Sequence, residues 1–244
     1  MIRRVVILLL WVCGTIAASP CESDERPALL VLGDSLSAAY GLPMEKGWVH
    51  LLAQRLEQRG YSHRIVNAST SGETSRGGRE RLPALLKRHE PQVVVIELGG
   101  NDGLRGLPLE RLKSNLAMMI RQARESGARV LLVGIQMPPN YGPEYTRRFS
   151  AVYRELSEEM MVALVPFLLE GVAGDSTLMQ PDGMHATAAA QPKLLNSVWK
   201  HLEPLLRETT ENTESDSVNP ALVTAAILGQ APSFVFVASE SDPQ

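Results

Sequence analysis

The chain has no excess of positive charge. Its 244 residues carry 24 Lys and Arg against 27 Asp and Glu. The imbalance lies at the C-terminus, where residues 208–244 hold six acids (Glu208, Glu211, Glu214, Asp216, Glu240 and Asp242) and no base, leaving +3 on residues 1–207. Arg3 and Arg4 belong to a leader described below, so the folded body is nearly neutral and offers no basic footprint for nucleic acid. Cysteine is almost absent: there are two, Cys13 and Cys21. Aromatic residues make up 5%. The apolar run from Val5 to Val12 is too short for a bilayer span. A second stretch, residues 218–238, is roughly long enough, but Asn219, Pro220, Gln230, Pro232 and Ser233 interrupt it and argue against a span. What is present is 44% apolar and 21% charged sequence. That suits one soluble globular domain with a sizeable core and excludes wholesale disorder.

The N-terminus has the layout of a secretory signal peptide: a cationic start at Arg3 and Arg4, an apolar run, then small residues to Ser19. Residues 1–18 are read as this signal, with cleavage within 17–19, and the location as periplasmic or secreted. Cleavage removes Cys13 and leaves Cys21 alone, so the mature domain has no internal disulfide. Val12 and Pro20 precede the two cysteines, and neither is the small residue a lipoprotein signal requires. The domain is assigned to residues 27–207. Residues 208–244 are read as an acidic linker and a loosely ordered tail.

Within the domain, apolar runs at residues 28–32, 64–68, 92–98, 129–135 and 162–165 are continuous and rich in Val, Ile and Leu. Such runs fit strands buried on both faces, as in a parallel sheet. Helical spacing fills the gaps. Trp48, Leu51, Leu52 and Leu56 form one face, and Leu82, Leu85 and Leu86 a second. Leu109, Leu112, Leu116, Met119 and Ile120 form a third, Phe149, Val152, Tyr153 and Leu156 a fourth, and Leu194, Leu195, Val198, Trp199 and Leu202 a fifth. Pro108 suits a helix start and Gly127 a stop. The alternation predicts an α/β fold, a three-layer α/β/α sandwich around a five-stranded parallel sheet. Ligands then bind at the carboxyl ends of the strands. The loops to inspect are 33–40, 69–79, 99–106, 136–145 and 178–187.

Four of these regions carry unusual polar sequence. Gly33-Asp34-Ser35-Leu36-Ser37 displays a serine on a tight turn just past a buried strand, although the Gly-x-Ser-x-Gly elbow pattern is absent. Taken alone, Gly-Asp-Ser is a weak signal and Ser35 reads better as a helix N-cap. Pro181-Asp182-Gly183-Met184-His185 offers a base and an orienting carboxylate three residues apart, on one side of a helical turn. A serine hydroxyl needs such a pair to lose its proton near neutral pH. An ordinary helix N-terminus capped by Asp182 is the plain alternative. Ser71-Gly72-Glu73-Thr74 and Gly99-Gly100-Asn101-Asp102 follow two other strands. The Ser35 and Gly72 backbone N–H groups and the Asn101 amide are candidate donors for an oxyanion. Asp34 and Asp102 flank the site, and we read them as hydrogen-bonding to loop backbone rather than as metal ligands.

Ser35, Gly72, Asn101 and His185 resemble, in order and spacing, the four blocks of the SGNH (GDSL) hydrolase superfamily. Residues 33–40, 67–74, 81–87, 97–106, 139–142 and 179–185 extend the likeness to its bacterial periplasmic acyl-CoA thioesterase I / lysophospholipase L1 / arylesterase group. The likeness covers roughly residues 28–206. It implies a flavodoxin-like fold and a serine hydrolase of carboxylic esters and thioesters with broad acyl specificity. In this reading Ser35 is the nucleophile, His185 the base, Asp182 its orienting partner, and Ser35, Gly72 and Asn101 the oxyanion hole. It implies no cofactor and no metal. The partners are small ester, thioester or lysophospholipid substrates, with no nucleic acid and no stable protein partner. Leu104, Leu107, Met137, Pro138, Tyr141 and Tyr145 are candidate walls of an acyl groove, and residues 74–81 a candidate gate. A polysaccharide O-acetylesterase on the same scaffold, or a non-catalytic binding module, are the competing readings.

Overall fold

The computed structural model describes the backbone of residues 24–216 and the side chains of residues 24–207. The predicted leader and the end of the tail lie outside the described residues. Five strands form one parallel sheet: β1 (Ala28–Gly33), β2 (Arg64–Asn67), β3 (Val93–Glu97), β4 (Arg129–Val133) and β5 (Ala163–Val165), in the order β2-β1-β3-β4-β5. Register runs Val31 opposite Asn67 and Val95, then Val95 opposite Leu131. The helices are α1 (Trp48–Gln58), α2 (Ser75–His89), α3 (Gly100–Leu104), α4 (Leu109–Glu125), α5 (Pro143–Met160) and α6 (Gln191–Asp216).

Strand side chains alternate between the two faces. Leu29, Val31, Val93, Val95, Leu131 and Val133 pack with α1 and α6 through Trp48, Leu52, Leu56, Val198 and Leu202. Leu30, Leu32, Val94, Ile96, Val130 and Leu132 pack against α2, α4 and α5 through Leu82, Leu112, Met119, Phe149 and Tyr153. These are two cores on either side of one sheet, which explains why β1, β3 and β4 carry continuous apolar runs. Strand order reverses between β1 and β3, so the crevice above them is where such a fold takes a ligand.

Three local expectations are corrected. Residues 99–106 are not all loop, because α3 forms within them. Residues 75–81 are the first turns of α2, capped by Thr74 Oγ1 accepting the Gly77 N–H, and are therefore no gate. The helix α6 continues to Asp216, through what composition reads as linker. Residues 208–216 contain neither Gly nor Pro, and extending an anchored helix costs far less than starting one. Among the described residues, no helix is long and apolar enough to cross a membrane.

Candidate active site

The turn after β1 is held from below. Ala38 N–H bonds to the Asp34 carbonyl at 2.9 Å and Tyr40 N–H to the Ser35 carbonyl at 3.2 Å. Glu97, at the end of β3 and fully buried, accepts the Ser37 hydroxyl at 2.7 Å and the Asp34 N–H at 3.3 Å on the same oxygen. Burial pushes the Glu97 carboxyl well above its ordinary value, and the neighbouring Asp34 charge adds to this. Asp34 is itself raised to about 6 by burial, against the lowering effect of the Leu36 N–H, the nearby His185 and the Asn101 amide. Asp34 bonds loop backbone, its Oδ1 accepting Leu36 N–H at 3.1 Å, whereas Asp102 Oδ2 accepts the N–H of Ser75, the first residue of α2, at 2.8 Å.

His185 arrives on a small looped-back segment, not on a helical turn. Met179 bridges Ala186 in antiparallel fashion, Gln180 N–H donates to the His185 carbonyl, and Thr187 N–H to that of Leu178. The Asp182 Oδ1 accepts the Met184 and His185 N–H groups at 2.9 and 3.0 Å, closing the turn that Gly183 (φ 67°) permits. Its other oxygen, Oδ2, lies 2.7 Å from His185 Nδ1, and His185 Nε2 lies 2.8 Å from Ser35 Oγ. Slight burial would raise Asp182, but the His185 ring and two N–H donors outweigh it and hold the carboxyl at about 2. Tyr40 covers the imidazole with ring centroids 4.4 Å apart. The Gln180 amide donates to the Tyr40 and Ala186 carbonyls at 2.9 and 3.0 Å and so ties the serine turn to the histidine loop.

Gly99 supplies the bend into α3. Its φ of 127° suits no side chain, and a Cβ there would sit 2.1 Å from the Tyr153 hydroxyl, which donates to the Leu98 carbonyl at 2.9 Å. Asn101 follows, its amide donating to Asp34 Oδ2 at 3.2 Å with one hydrogen left to donate elsewhere. Ser35, Gly72, Asn101 and His185 all line one cavity of about 720 Å³.

The cavity is mostly apolar, with Leu104, Met137 and Pro138 among its walls as expected. The other three expected wall residues are not among its lining. Tyr141, in the turn before α5, stacks on Tyr145, and Tyr145 leans on Phe149 along α5, so these rings pack on one another. Leu107 sits on the exposed stretch after α3, its N–H bonded to the Asp102 carbonyl. The wall that sequence reading missed comes from beyond β5: Phe167, Leu169, Ala173, Met179 and Met184. The apolar run at residues 167–169, placed at a strand end, was the available signal. Glu97, Gln180 and Arg105 were missed as well, since nothing local marks them.

This arrangement of strand-end serine, histidine and amide donors on a flavodoxin-like sheet is matched by one family model. Residues 31–191 match the GDSL-like lipase/acylhydrolase family, and the chain belongs to it. Among its relatives, "Esterase TesA" of Pseudomonas aeruginosa is 58% identical over 185 residues, covering 76% of this chain and 92% of the relative. "Thioesterase 1/protease 1/lysophospholipase L1" of Escherichia coli K12 is 43% identical over 178 residues, covering 73% and 84%. The crystal structure of the psychrotrophic esterase EstA from Pseudoalteromonas sp., inhibited by monoethylphosphonate, superposes with a TM-score of 0.71 at 41% identity. It covers 75% of this chain and all of that one.

Proposed function

We propose that the protein is a serine hydrolase of carboxylic esters and thioesters, with simple acyl esters and lysophospholipids as its substrate class. The observation that carries this is the chain of contacts Asp182–His185–Ser35 at 2.7 and 2.8 Å, opening into an apolar cavity. Ser35 Oγ attacks the substrate carbonyl carbon while its proton passes to His185 Nε2. Asp182 accepts the Nδ1–H, fixes the ring, and stabilises the imidazolium. The carbonyl oxygen becomes negative and is held by the Ser35 and Gly72 N–H groups and the Asn101 amide. Collapse of the tetrahedral intermediate breaks the bond to the alcohol or thiol, which leaves with the proton from His185. Water then attacks the acyl-serine, giving its proton to His185, and the carboxylic acid departs as Ser35 regains its hydrogen.

The names carried by relatives, esterase and thioesterase/lysophospholipase, support the same reaction class. The signal-like residues 1–18 support export to the periplasm, checked by N-terminal sequencing of the protein from the periplasmic fraction. The catalytic assignment is tested by fluorophosphonate labelling and p-nitrophenyl ester hydrolysis. Ser35 takes up the label in the native protein. Ser35→Ala and His185→Ala stay folded and lose nearly all turnover, roughly 10⁴-fold or more. A folded Ser35→Ala protein with full activity overturns the assignment.

A further inference from the structure

An oxyanion needs its donors at a fixed spacing, yet Gly72 and Asn101 arrive on different elements. Gly72 lies in the loop before α2 at a φ of 79°, and Asn101 is in the first turn of α3. The short helix α3 grips that loop at two points. From within the helix, Asp102, only 3% exposed, takes the Ser75 N–H on Oδ2 at 2.8 Å and the Ser75 hydroxyl on Oδ1 at 2.6 Å. Asn115 of α4 donates to Ser75 Oγ at 2.9 Å and is itself held by Arg79 at 3.0 Å. From the C-terminal end of α3, Arg105 Nη2 donates to the Gly72 carbonyl at 3.0 Å. The two grips bracket residues 72–75.

We propose that Asp102 and Arg105 are positioning residues that set the distance between the Gly72 N–H and the Asn101 amide. The proposal rests on the oxyanion-hole reading given above. Neither side chain is among the cavity's lining, so each acts through the donors and not on a bound acyl chain. A carboxylate suits position 102 because it has only acceptors, and both Ser75 groups are donors. An asparagine there turns an NH₂ toward one of them, which frees one side of the grip. A donor displaced by about 1 Å is enough to cost roughly 10²-fold in rate.

The test introduces Asp102→Asn and Arg105→Met separately into the native protein and into Asn101→Ala, with p-nitrophenyl butyrate as substrate. In the native background kcat falls about 10–100-fold for Asp102→Asn and about 3–10-fold for Arg105→Met, with KM nearly unchanged. Asn101→Ala alone lowers kcat about 10²–10³-fold. On that background each substitution costs several-fold less, because one end of the controlled spacing is gone. Near-UV circular dichroism and melting temperature establish folding, and Ser75→Ala, which removes only the hydroxyl, replaces Asp102→Asn if the latter does not fold. Equal costs in both backgrounds overturn the proposal, as does a raised KM with kcat preserved. An Arg105→Met defect confined to phosphate-bearing substrates overturns it for Arg105, making that side chain a headgroup ligand. Full activity in Asn101→Ala is a different result, and it removes the oxyanion reading itself.

Discussion

Asp182 uses its two oxygens differently: Oδ1 closes the turn and Oδ2 meets the imidazole. An asparagine keeps the turn-closing acceptor but presents either an amide nitrogen or a weaker acceptor to Nδ1, so the ring loses its preferred tautomer. Asp182→Asn is expected to lower kcat about 10²–10⁴-fold in ester hydrolysis, with the fold intact. The same carboxyl contributes to stability. Its folded value of about 2 lies below the ordinary 3.8, so the contribution is complete above pH 3.8 and is lost as pH falls through 2. In urea titrations from pH 5 down to 2, the native protein should therefore lose its stability margin over Asp182→Asn. A margin unchanged across that range refutes the linkage. Glu97 makes a second prediction at this scale. Glu97→Leu leaves the Asp34 N–H and the Ser37 hydroxyl without their buried acceptor, at about 1–3 kcal/mol each, whereas Glu97→Gln keeps an acceptor in place. Urea unfolding should rank native and Gln close together, with Leu well below.

Elements meet where side chains leave room. At the end of β4, a Cβ on Gly134 would lie 2.3 Å from the Pro166 carbonyl oxygen and 2.9 Å from that of Val165. Backbone cannot swing aside as a side chain does, and Gly134 also bonds Val165 and Leu168 through its N–H and carbonyl. Gly134→Ala should destabilise the fold by about 1–3 kcal/mol and loosen both cavity walls that follow, residues 135–138 and 167–173. Thermal melting and KM for a long-chain ester check the two effects. The elements themselves were largely legible in the sequence. Strands such as β1 and β3 carry unbroken apolar runs, Ala28 to Leu32 and Val93 to Ile96, because two cores use alternate residues, and that leaves a continuous run to read. Ser35, Gly72, Asn101, Asp182 and His185 were legible as residues too, since each follows a strand or lies near the chain's last helix. The helix α3 was not, because Gly-Gly-Asn-Asp-Gly has poor helix propensity, and contacts with Tyr153, Asp34 and Ser75 shape it. Nor was the true outer wall of the cavity. Tyr141 and Tyr145 are large and near the site in sequence, but the bend at Gly142 between the turn that holds Tyr141 and the start of α5 leaves their rings stacked on one another.

At the scale of the whole molecule, the loops that follow all five strands surround one cavity, and its size carries a prediction about substrates. About 720 Å³ of mostly apolar space beside Ser35 is far more than an acetyl group fills, which separates the acyl-hydrolase reading from an O-acetylesterase. Each methylene buried is worth about 0.8 kcal/mol, so kcat/KM should rise by up to about fourfold per methylene until the walls are met, then level off. A series of p-nitrophenyl esters from acetate to decanoate measures this, and a steady fall from acetate onward would reverse the conclusion. The wall beyond β5 gives the decisive variant. Ala173→Phe adds a ring to the cavity lining at a position outside the triad. It should shorten the chain length at which kcat/KM levels off while leaving the acetate value nearly unchanged. If long esters are hydrolysed as well as before, the acyl chain lies along the Leu104–Pro138 side alone, and the two walls serve different parts of the substrate.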